Sequence, residues 1–81
     1  MIKNAKYIGD YKIEIIFFDK TIKNIDLKNF LFKSKNPYIK KYQNQDLFKQ
    51  FRIEDGEICW GDNEFDLNPL SIYRGDFDYI S

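Results

Sequence analysis

The chain has 81 residues, with 13 Lys and Arg balancing 13 Asp and Glu; 43% of it is hydrophobic and 19% aromatic, and it holds one cysteine and no histidine. That length limits it to one small domain whose core must be filled by bulky side chains, and the apolar content argues against intrinsic disorder. A single cysteine excludes an intrachain disulfide framework and a multi-cysteine zinc site, and the missing histidine removes the commonest general base and metal ligand.

In chain order, Lys6-Tyr7-Ile8 predicts a strand that turns at Gly9-Asp10, because both residues tolerate positive φ. Tyr11 to Phe18 is the clearest strand. It sets Ile13, Ile15 and Phe17 on one face and Lys12, Glu14, Ile16 and Phe18 on the other, whose apolar end predicts a cover there. Asp19-Lys20 turns the chain into a third strand, Thr21 to Leu27, completing an antiparallel three-stranded meander. Leu27 to Phe32 predicts a short helical turn capped by Asp26, and Lys33 to Pro37 breaks it. Tyr38 to Phe51 predicts helical turns rather than one long helix, with Asn44 capping Gln45 to Gln50. Arg52-Ile53-Glu54 and Glu57 to Trp60 flank Asp55-Gly56, a strong hairpin signal. Gly61-Asp62-Asn63 turns the chain again, and Asn68-Pro69 opens a brief helical turn through Tyr73. Arg74 to Ser81 reads as a tail. The expectation is therefore a single α+β domain over residues 1–81: meander, short helical segments, β-hairpin and a short C-terminal turn.

The zero net charge hides a division. Residues 1–52 carry twelve Lys and Arg against five Asp and Glu, and residues 53–81 carry one against eight, so the two parts differ as +7 and −7. Two readings stand: the parts attract one another across the fold, or they form a dipole that steers a partner. The longest apolar run, Ile15 to Phe18, is too short to span a bilayer, and the first residues lack a signal-peptide core, so a cytoplasmic location without membrane contact is expected.

Few residues promise chemistry. Asp62, Glu64 and Asp66 alternate as in a calcium loop, but the sixth and twelfth positions hold Leu67 and Tyr73 in place of Gly and Glu, which excludes an EF-hand. Asp66 is expected instead to cap the turn near Asn68. Cys59, with no basic cluster beside it, reads as a buried filler. Trp60 reads as a core plug with its indole N–H on a carbonyl, or as a partner-binding anchor beside Asp62, Glu64 and Asp66. Lys33, Lys35, Tyr38, Lys40, Lys41 and Tyr42 form a basic, aromatic segment of the kind that holds phosphates and stacks on bases. Neither a cofactor nor a metal is expected, and no enzymatic activity.

Phe17-Phe18-Asp19, Asp26-Leu27, Phe48, Trp60-Gly61 and Asp66-Leu67-Asn68-Pro69 fall in an order that resembles the bacterial domain-of-unknown-function family 2442, over Ile2 to Tyr73. Lys20 stands where that pattern has a turn glycine. The resemblance implies a small α+β fold and no agreed activity. Some members look like parts of toxin–antitoxin operons, and some are fused to DNA-binding domains, a fusion not expected in a chain of this length. The expected function is a protein–protein interaction module, an antitoxin-like accessory whose acidic Glu54 to Asp66 stretch meets a basic toxin-like neighbour. The alternative is weak nucleic-acid binding through Lys33 to Tyr42. An exposed sheet edge could also pair with a partner or a second copy, so monomer and homodimer both remain open.

Overall fold

A computed structural model of the chain describes residues 1–62 and 64–75. Three strands, β1 (Ile2–Gly9), β2 (Lys12–Phe17) and β3 (Ile22–Asp26), form the first antiparallel sheet in the order β1-β2-β3. β1 starts four residues before the predicted strand and carries two bulge-like register shifts. The β1–β2 turn is centred on Asp10 and Tyr11, one residue later than predicted, with φ of 51° and 63°. A tyrosine in the left-handed region is unfavourable by about 1–2 kcal/mol. Its ring explains the placement: Tyr11 is buried, meets Phe48 edge-on at 5.5 Å, and donates its hydroxyl to the carbonyl of Gln43.

At the β2–β3 turn the Lys20 N–H donates to the Phe17 carbonyl at 2.9 Å, and Lys20 has φ 75°. The position that resembled a glycine site is thus left-handed and occupied by lysine. Ile13, Ile15 and Phe17 are buried as predicted. Among the described residues no cover closes over the opposite face at Phe18, which is 66% exposed, and Ile22 is exposed as well. The short helices pack elsewhere, against the inner face.

Among the described residues four helices of one or two turns follow: α1 (Lys28–Lys33), α2 (Pro37–Lys40), α3 (Gln45–Phe48) and α4 (Pro69–Arg74). Each has a local cause. The Asp26 carboxylate accepts from the Lys28 N–H at 3.0 Å. Asn36 caps α2 with Pro37 at its first position, and a 3-10 turn, Lys41–Gln43, links α2 to the Asn44 cap of α3. Asn68 caps α4, accepting from the Leu70 N–H at 2.9 Å. The cap predicted at Asp66 is therefore corrected: Pro69 fixes the first helical position, so the residue before it must cap. α4 runs through Arg74 and ends on a left-handed Gly75. The rest of the predicted tail, 76–81, lies outside the described residues.

The predicted hairpin, β4 (Arg52–Glu54) and β5 (Glu57–Trp60), turns on Asp55 and Gly56 with φ of 53° and 79°. A third strand that the pattern did not announce, β6 (Phe65–Leu67), pairs with β5, giving a second antiparallel sheet in the order β4-β5-β6. The Ile2 N–H donates to the Gly56 carbonyl at 3.0 Å and joins the two sheets. A Cβ on Gly56 would come within 2.8 Å of the Met1 Cβ, so this approach requires glycine. Side chains from both sheets, α1, α3 and α4 form one buried cluster around Ile13, Ile15, Leu31, Phe48, Trp60 and Ile72.

Candidate interaction surface

Trp60 sits at the centre of that cluster with no exposed surface. Its ring stacks on Phe65 at 4.4 Å and 18° and on Phe48 at 5.5 Å and 25°, and its indole N–H donates to the Phe48 carbonyl at 2.7 Å. Burial with a satisfied N–H is the stable arrangement for an indole. Of the two readings of Trp60, the core plug describes its place; as a partner-binding anchor it is corrected, because it reaches no surface. Cys59 is likewise buried, and burial pushes its thiol pKa up, away from the reactive thiolate.

The residues after Trp60 divide. Glu64 turns inward: its carboxylate accepts from the Tyr42 hydroxyl at 2.8 Å and pairs with Lys41 at 2.6 Å. The Lys41 and Tyr42 bonds hold the Glu64 carboxyl below its ordinary range. Burial, then the Glu64 carboxylate, push the Tyr42 hydroxyl up to about 12. Gly61, at φ 64°, leaves room for this latch; a Cβ there would lie 2.6 Å from the Tyr42 Oη and closer still to Glu64. Asp62 and Asp66 stay exposed. Asp62, Glu64 and Asp66 therefore do not act as a set, and among the described residues no group of three or more Cys, Asp or Glu side chains is placed to hold a metal ion.

The outer face of the second sheet follows from register. Arg52 stands opposite Cys59, Glu54 opposite Glu57, and Cys59 opposite Asp66, so all five share one side. Arg52 pairs with Glu54, and that bond raises its pKa. Glu57 and Asp66 make no ion pair among the described residues, and Asp55 and Asp62 stand exposed in the flanking turns. Lys41–Glu64 is the ion pair that reaches from the helical segment to this sheet; Lys28–Asp10 and Lys49–Asp46 lie within the basic part. The charge division is thus mostly left on the surface.

The basic segment is also split by the fold. Lys33, Lys35 and Lys40 are exposed, and Tyr38 is 60% exposed. Tyr42 is 4% exposed and cannot stack on a base, which corrects its place in that set, and Lys41 is committed to Glu64. No helix among the described residues is long and apolar enough to cross a membrane.

The family model described as "Protein of unknown function (DUF2442)" matches residues 2–78. The chain belongs to that family. No curated protein and no solved structure matches it. The resemblance carried by Phe17 to Asp19, Trp60-Gly61 and Asp66 to Pro69 is thereby established, and DUF2442 membership brings no activity with it. In this DUF2442 chain those motif residues are structural: Trp60 is core, Gly61 clears the latch, and Asn68-Pro69 starts α4.

Sequence reasoning passed over Leu70 and Tyr73 as surface features. A signal was present. Pro69 and Ile72 fill the buried face of α4, so Leu70 and Tyr73, also three apart, must face outward; they are 51% and 41% exposed.

Proposed function

We propose that this chain is a protein-interaction module, an antitoxin-like or operon-accessory domain that acts by recognition rather than turnover. The acidic outer face of the second sheet steers a basic partner onto it. One observation carries the reading: Glu54, Glu57 and Asp66 lie on one side of a three-stranded sheet, flanked by exposed Asp55 and Asp62, with Arg52 as the cation among them. Charge of one sign on one face raises association rate and selectivity more than final affinity. Hydrogen bonds hold the Asp19 and Glu64 carboxyls low, the opposite of a general acid poised near neutrality.

The test is co-expression with the product of the neighbouring reading frame, followed by co-purification. The pair is expected to associate, and the combined variant Asp55→Asn, Glu57→Gln, Asp66→Asn to slow association about tenfold at low salt. A pair that never associates, or a variant that associates as fast as the parent, refutes the reading.

Nucleic-acid binding is the second reading, supported by Tyr38 standing exposed among Lys33, Lys35 and Lys40, none of which is ion-paired among the described residues. A gel-shift titration would show affinity falling steeply with salt; absence of binding at low salt ends it.

A further inference from the structure

The geometry points to a trough beside the acidic face that receives a basic segment of a partner protein through one large apolar side chain. The inference rests on the interaction-module reading and adds the anchor that electrostatic steering lacks. At one end, Met1, Phe17, Pro69, Leu70 and Tyr73 enclose a hollow of about 230 Å³ with a mainly apolar wall. That is below the roughly 300–1,000 Å³ of sites that enclose a drug-sized molecule, and it suits a single side chain. Across the ridge of Met1, Pro69 and Leu70 lies an adjoining hollow of about 400 Å³ that adds Glu57 and Asp66 to its wall.

Carboxylates bracket the apolar floor on both sides. Glu57 and Asp66 stand at one end. At the other, Asp19 accepts from the Tyr73 hydroxyl at 2.6 Å and from the Thr21 N–H at 2.9 Å, and those bonds hold its carboxyl below the ordinary range. The floor carries three carboxylates at its ends against one cation, the Met1 α-amino group, which lies near enough to act on Asp19. Its excess negative charge complements a segment in which a large apolar residue is flanked by Lys or Arg. It rejects an acidic segment by like-charge repulsion. A buried apolar anchor inside a charged rim is also where binding energy concentrates at interfaces.

Fluorescence anisotropy on the intact chain tests this with three labelled peptides of about eight residues, enough to span about 25 Å when extended. One is all Lys with a central Phe, the second replaces that Phe with Ser, and the third replaces every Lys with Glu. The Lys/Phe peptide is expected to bind about tenfold more tightly than the Lys/Ser peptide, and the Glu peptide not to bind. Leu70→Ser, at a half-exposed position, should abolish the difference between the first two while circular dichroism stays unchanged. Equal binding of the Lys/Phe and Lys/Ser peptides to the parent chain overturns the trough and leaves the acidic-face reading intact. Failure of the Lys/Phe peptide to bind does the same whenever the neutralised triple variant still slows association with the neighbour. Equal binding of the Glu peptide overturns both. A solution mass that doubles for the parent but not for Leu70→Ser assigns the trough to a second copy and overturns the partner assignment.

Discussion

The two sheets are held together by different means. In the first, β1, β2 and β3 pair over long registers, and Ile13, Ile15, Phe17 and Ile25 bury one face by plain alternation. In the second, three strands of three or four residues are too short for their ladders alone to be stable, and they depend on particular side chains. Trp60 stacks between Phe48 and Phe65, and the Lys41–Glu64–Tyr42 latch ties the β5–β6 turn to the helical segment. A distributed pattern tolerates the loss of one member. A keystone does not.

The sharpest way to break that contrast is Trp60→Ala against Phe18→Ala. Removing the buried indole should lower stability by about 3–5 kcal/mol, a large part of the roughly 5–15 kcal/mol that holds a typical domain together. Removing the exposed ring at the outer face of the first sheet should change it by less than about 0.5 kcal/mol. Urea midpoints followed by circular dichroism measure both; equal shifts would remove Trp60 as the keystone of the second sheet.

Next in size is the latch. Gly61→Ala places a methyl against Tyr42 and Glu64 at a backbone angle that alanine resists, and should lower stability by about 1–3 kcal/mol. Alkaline titration reads the same element. With the folded Tyr42 hydroxyl at about 12 against an ordinary 10.0, the unfolded chain ionises first. The latch therefore contributes fully below pH 10 and is lost as pH rises through about 12. Phenolate absorbance should show Tyr42 titrating late in the parent and closer to its ordinary value in Gly61→Ala. The acid limb has the opposite sign: the depressed Glu64 and Asp19 carboxyls contribute above their ordinary values of 4.5 and 3.8, and that contribution fades as pH falls below them.

A stabilising change smaller than the latch effect is expected in the first sheet. Lys20 at φ 75° is unfavourable by about 1–2 kcal/mol, while glycine there gives back about 0.4–1 kcal/mol in unfolded-chain entropy. Lys20→Gly should thus stabilise by about 0.5–1 kcal/mol and raise the thermal midpoint by a few degrees. A lower midpoint would show that the lysine side chain supports the turn.

The alternation of Tyr11 to Phe18, the Asn and Pro caps and the Asp55-Gly56 turn are local signals, each complete within a few residues. They determined the meander, the broken helices and the hairpin from the sequence by itself, and the motif residues from Phe17 to Pro69 determined the family. The candidate surface was only half legible. Asp62, Glu64 and Asp66 look equivalent along the chain, yet Glu64 alone turns inward, because Lys41 and the Tyr42 hydroxyl lie more than twenty residues away and only folding brings them near. Distant contacts likewise decided that Tyr11 takes the strained turn position, that β6 completes a second sheet, and that Met1, Leu70 and Tyr73 share a trough. Backbone preference acts between neighbours in sequence, whereas burial and charge pairing act between neighbours in space, so the elements belonged to the sequence and the surface to the fold.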